Sequence, residues 1–233
     1  MKKLLFASIS LVILGISCKK STPTPDPVAA SKFMTYTAGT FWNYQTTDNI
    51  TQVVTPYVLT ATSTDTTINT KVYHIFSSVD ANGTTSEYYN NTGNDYFQYT
   101  QLSAQLPPME LKYLNDVSPV GTTWSQPISI TQSGVTLTAD IKNTIMEKGF
   151  TETVNSIAYT NVTRVKTEIV NLSSSNPLVS VSILTQNIAT CFAPKFGLIK
   201  REFALHITAS ALGSSQDVIN TSTTNQLMSS NIQ

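Results

Sequence analysis

Val135-Thr136-Leu137-Thr138-Ala139-Asp140-Ile141 is the stretch that decides the fold class. Val135, Leu137, Ala139 and Ile141 alternate with Thr136, Thr138 and Asp140. A period of two marks a strand with one face in a core and one in water, because successive side chains leave a pleated backbone on opposite sides. Ser133-Gly134 ahead of it makes a turn, and 124–132 reads as the hairpin partner of a strand over 135–146. Working outward, 41–46, 53–62, 71–77, 85–89 and 95–100 read as strands. Asp80-Ala81-Asn82-Gly83 closes one hairpin through an Asn-Gly pair that tolerates positive φ, and Asn90-Asn91-Thr92-Gly93-Asn94 closes another. Pro56 lacks a ladder donor and marks an edge or a bulge. Further strands are predicted near 150–154, 162–172, 178–190, 198–208 and 216–228. A short helix near 107–115, after Leu106-Pro107-Pro108, is the one helical expectation.

Composition agrees. Thr and Ser make up about a quarter of the 233 residues, and charged residues are only 12%, about half the usual share. Branched and aromatic side chains favour pleated strands, and polar faces of Thr, Ser and Asn suit an exported protein. The fold class is all-β. Gly39-Thr40-Phe41-Trp42 and Gly121-Thr122-Thr123-Trp124 repeat Gly-Thr-x-Trp 82 residues apart. We read them as two strand starts, each packing an indole into one core.

The amino terminus predicts the compartment. Met1-Lys2-Lys3 is followed by an uncharged, mostly apolar run from Leu4 to Ile16, too short for a permanent span of about 20 residues. Leu14-Gly15-Ile16-Ser17-Cys18 resembles the bacterial lipobox, with the small residue before the cysteine in place and Leu one position early. The expected organisation is a signal peptide over 1–17, a lipidated Cys18 with a Pro/Thr tether over 18–31, and a single β domain over 32–233. Stable anchoring needs more than one acyl chain, at roughly 0.8 kcal/mol per buried CH₂, and a processed lipoprotein cysteine carries more than one. Loss of Lys2 and Lys3 with the leader leaves a small acidic excess and no basic patch, which argues against nucleic acid as a partner. Cys191 is the only other cysteine. It has no disulfide partner and reads as a buried, inert thiol.

Three further groups of residues carry a likeness. These are Gly39-Thr40-Phe41-Trp42-Asn43-Tyr44, Pro119-Val120-Gly121-Thr122-Thr123-Trp124, and Phe192-Ala193-Pro194-Lys195-Phe196-Gly197-Leu198-Ile199-Lys200. With the aromatic pairs Tyr88-Tyr89 and Tyr96-Phe97 between them, their order resembles uncharacterised Bacteroidetes lipoproteins. The last motif departs from that group's pattern at Lys195 and Phe196. More distantly, the chain is similar to periplasmic lipoprotein carriers of the LolA/LolB type. That resemblance implies a curled antiparallel sheet, a half-barrel around an apolar cavity. The reading as an apolar-ligand binder expects Trp42, Val72, Phe76, Phe97, Trp124 and Ile141 to line such a cavity. The resemblance also implies an address in the cell envelope, at the outer membrane.

A search for chemistry yields little. His74 and His206 stand apart, with no metal-ligand spacing and no cysteine cluster. No G-x-S-x-G elbow occurs, and no metal or cofactor is expected. Glu147 with Glu152, or Asp140 with Glu168, are the carboxylate pairs a hydrolase would need. Asp65-Thr66-Thr67 resembles a Bacteroidetes O-glycosylation site with Thr66 as acceptor. Tyr88, Tyr89, Tyr96 and Tyr99 lie on neighbouring strands; they could stack on sugar rings or form ordinary cross-strand pairs. The expected function is a non-enzymatic envelope lipoprotein binding an apolar ligand or a partner protein. The alternative is a surface glycan-binding or adhesion accessory.

Overall fold

The computed structural model describes residues 33–101, 108–132, 135–211 and 214–232. The first six strands are β1 (Phe41–Asp48), β2 (Val54–Ile68), β3 (Lys71–Asp80), β4 (Gly83–Thr92), β5 (Asp95–Thr100) and β6 (Met109–Asn115). The second six are β7 (Thr123–Gln132), β8 (Val135–Val154), β9 (Ile157–Ser174), β10 (Val179–Ala193), β11 (Gly197–Ala211) and β12 (Ser214–Ser230). No helix occurs among the described residues, so the all-β reading holds. The single sheet runs β6-β5-β4-β3-β2-β1-β12-β11-β10-β9-β8-β7. It is therefore two six-stranded meanders joined along the antiparallel β1–β12 ladder, curled into a nearly closed barrel.

The two free edges, β6 and β7, meet without a ladder. Side chains bridge them: Trp124 Nε1 donates to the Lys112 carbonyl at 2.8 Å, and Gln126 Nε2 to the Glu110 carbonyl at 2.5 Å. Pro127 lies in β7 and has no backbone donor, which suits an edge strand. Pro56 obeys the same rule: it pairs with Gln45 of β1, and β2 joins β3 only from Val58 onward.

The helix expected near 107–115 is replaced by β6. Leu111 and Tyr113 turn inward while Glu110 and Lys112 turn outward, a period of two, and pairing with β5 satisfies the backbone. The separate strands expected over 135–146 and 150–154 are one strand, β8. It stays continuous by absorbing register shifts after Ile145 and Lys148, and such bulges bend a strand without ending it.

The repeated Gly-Thr-x-Trp marks equivalent corners. Gly39 has φ +83° and Gly121 φ +88°. The amide of each donates to a carbonyl on the following long strand, Ala61 in one case and Ile145 in the other, and that residue's amide donates back to Thr40 or Thr122. The next hairpins match as well. Asn69-Thr70 and Asn155-Ser156 are both two-residue turns with positive φ throughout, the conformation whose twist suits a tight hairpin.

One end of the barrel is solid. Trp42, Phe76, Ile199 and Leu227 are fully buried there with Tyr44, Leu59 and Val154. The chain enters at this end, where Phe33 and Met34 are buried. The Phe33 amide donates to the Tyr96 hydroxyl at 3.0 Å, and Met34 bridges Phe196. Tyr36 stacks on His74 at 4.3 Å and meets the edge of Phe76. Residues 33–36 thus act as a plug.

Candidate functional site

The remainder of the interior is hollow. A cavity of about 420 Å³ lies within the second meander and is completed by β5 and β6. Inward residues of β11 show how it is built. Ile199 belongs to the solid core, Arg201 comes next, and Phe203, Leu205 and Ile207 follow as cavity wall. On the facing strands Ile128, Leu137, Ile141 and Ile188 continue the apolar surface. Val218, 45% exposed, is also part of the lining. The physical reason for the hollow is side-chain size. The first meander points Trp42, Tyr44, Tyr57, Phe76 and Tyr89 inward and fills its half, whereas the second points mainly aliphatic residues and threonines.

The expected lining is therefore largely displaced. Ile141 does line the cavity. Trp42 and Phe76 face inward but are packed against each other at 5.7 Å in the solid core. Trp124 is half-buried against a second cluster that contains Tyr96, Leu114 and Phe192. Val72 is 50% exposed near a strand end, and Phe97 lies under the Lys71 ammonium at 4.7 Å. Strand alternation predicts which face a residue takes; it does not predict where the inner face leaves space.

The four tyrosines do not form one platform. Tyr96 is buried and donates to Asp116 at 3.1 Å. Tyr89 meets Phe76 edge-on inside the barrel, and its hydroxyl donates to Glu87 at 2.5 Å. Tyr88 and Tyr99 are direct cross-strand partners on the opposite face, half-buried, and Tyr73 packs against Tyr99 at 59°. Thr66 is half-buried opposite Tyr73, and the neighbouring Asp65 is bound to His74 at 2.7 Å. Cys18 lies outside the described residues.

The carboxylates considered for hydrolysis are engaged on the outer face. Arg164 bonds Glu147 at 2.5 Å and Glu152 at 3.3 Å. Lys200 reaches Glu152 at 3.4 Å and Glu202 at 2.9 Å. Asp140 accepts from Asn171, and Glu168 pairs with Lys166, which holds its carboxyl below the usual range. Cys191 is buried beneath the Arg164 cluster; burial raises its pKa against the pull of the Arg164 hydrogen bond. His206 pairs with Asp217 at 2.7 Å.

Sequence reading missed Arg201. Lys200-Arg201-Glu202 looks like a charged surface run, and only its parity with Ile199, Phe203 and Leu205 puts the middle residue indoors.

Fold and site together define an antiparallel twelve-stranded barrel, plugged at one end and hollow toward the other. Two solved structures superpose on the chain. A candidate lipoprotein of Parabacteroides distasonis superposes with a TM-score of 0.52 at 12% identity, over 87% of this chain and 99% of that one. A candidate exported protein with a YmcC-like fold from Bacteroides fragilis gives 0.49 at 10% identity, over 87% and 100%. These likenesses concern the fold. Neither a protein-family model nor a curated protein matches the chain.

Proposed function

We propose that the chain is a non-enzymatic envelope lipoprotein, held to the outer membrane through Cys18, whose barrel carries an apolar guest. The observation that carries this reading is the cavity: about 420 Å³, walled mainly by aliphatic side chains, and inside the range of roughly 300–1,000 Å³ typical of small-molecule sites. The leader and the cysteine at position 18 support the address. The description of the Parabacteroides protein as a candidate lipoprotein agrees with it. Apolar contact inside such walls gains roughly 25 cal/mol for each Å² removed from water, so a hydrocarbon guest needs no specific bond to be retained.

Mass spectrometry of protein extracted in mild detergent from its native membrane tests this. The expected spectrum shows an amino-terminal Cys18 carrying acyl chains, with a lipid released from the folded protein by organic solvent. The same spectrum reads any sugar at Thr66. A soluble chain with Met1 intact and no released lipid would defeat the reading.

A further inference from the structure

Arg201 is the feature that the apolar-guest reading leaves unused. It sits in the cavity lining at the boundary with the solid core, a guanidinium among aliphatic walls. Among the described residues no acid forms an ion pair with it. Lys112 of β6, whose side chain turns outward, is already bound to Asp95 at 2.6 Å. A half-buried charge without a partner is costly, and buried charges are ordinarily paired.

Its surroundings are polar and incompletely used. Tyr44, Tyr57 and Tyr113 all lie within electrostatic reach of Arg201. Asn225 faces it directly across the β11–β12 ladder. The Asn225 amide nitrogen donates to the Tyr57 hydroxyl at 2.6 Å, while its buried oxygen has no partner. Glu87 acts on Tyr44 and Tyr57, and its Oε2 accepts from Tyr89 and Gln98. The floor of the cavity thus offers a cation without an acid partner, with Asn225 as its neighbour on the next strand. From there Phe203, Leu205 and Ile207 run outward along β11; six residues of strand span roughly 20 Å.

We infer that the guest is a free long-chain monocarboxylic acid, bound with its carboxylate on Arg201 and its tail along the β11 wall. This rests on the cavity reading above. A guanidinium presents paired N–H donors that match a carboxylate. One cation with an acid close by suits a single negative charge better than a doubly charged phosphate. Size points to one chain: at about 420 Å³ the cavity lies toward the small end of the roughly 300–1,000 Å³ of small-molecule sites.

Calorimetric titration of the delipidated full-length protein with tetradecanoic acid, its methyl ester and tetradecyl phosphate tests the inference. In the unaltered protein the acid binds at least about tenfold more tightly than the ester, as expected for a charge-assisted bond, and more tightly than the phosphate. Arg201→Met brings acid and ester to equal affinity, Arg201→Lys keeps part of the preference, and Lys112→Met leaves it intact. Equal binding of acid and ester by the unaltered protein overturns the role of Arg201 while leaving the apolar cavity standing. Tighter binding of the phosphate overturns the carboxylate assignment. Failure of all three ligands to bind removes the cavity reading together with this one.

Discussion

Cys191 shows how position governs the chemistry of one atom. Its side chain is only 5% exposed because it belongs to the buried apolar cluster that holds Val162 and Ala193, with Arg164 beside it. Burial raises the thiol's pKa, and the Arg164 bond opposes this only in part. Since the thiolate is the nucleophile, the folded protein at pH 8 is expected to resist iodoacetamide, whereas in guanidinium chloride Cys191 alkylates within minutes. Comparable rates in both conditions would contradict the burial. The burial of the thiol was legible from its apolar neighbours Phe192 and Ala193. Arg201 was not legible in the same way, because a cation flanked by Lys and Glu carries no local sign that its own side chain turns inward.

At the scale of elements, the two glycine corners make a matched experiment. Gly39 and Gly121 hold the same left-handed conformation, and a Cβ added to either would meet nothing within 4 Å. Any cost of Gly39→Ala or Gly121→Ala is therefore conformational, about 1–2 kcal/mol each. Urea denaturation should show similar losses for the two. A large difference would mean that the corners are not equivalent. Most strands were readable because alternation is a local property, as in 135–141. The segment 109–115 was misread because two prolines and a few apolar residues say little until β5 lies alongside. The Asn69-Thr70 and Asn155-Ser156 turns were a repeat signal present in the sequence. They passed unnoticed because Asn-Thr and Asn-Ser are less emphatic than Asn-Gly.

For the whole molecule, the two junctions between the meanders are equivalent in topology but not in bonding. β1 and β12 share a continuous ladder, while β6 and β7 are held by the side chains of Trp124 and Gln126. Opening freedom follows the number of backbone bonds that must break. Hydrogen exchange should find the amides of β6 and β7 that face each other exchanging orders of magnitude faster than those of the β1–β12 ladder. Equal protection at both junctions would show the ring to be uniformly sealed. The all-β class was legible in the alternation, and a curled sheet around a cavity was expected from a resemblance, but where the hollow lies was not legible, since volume depends on how side chains from distant strands meet. The plug carries a consequence of its own. Residues 33–36 stopper the end where the polypeptide arrives, and the hollow runs the other way toward Val218. If the proposed anchor at Cys18 and the proposed guest both hold, a leash of at most about 50 Å when extended ties the stoppered end to the bilayer, and loading and discharge would fall to the remote side, with the mooring membrane serving only as the quay.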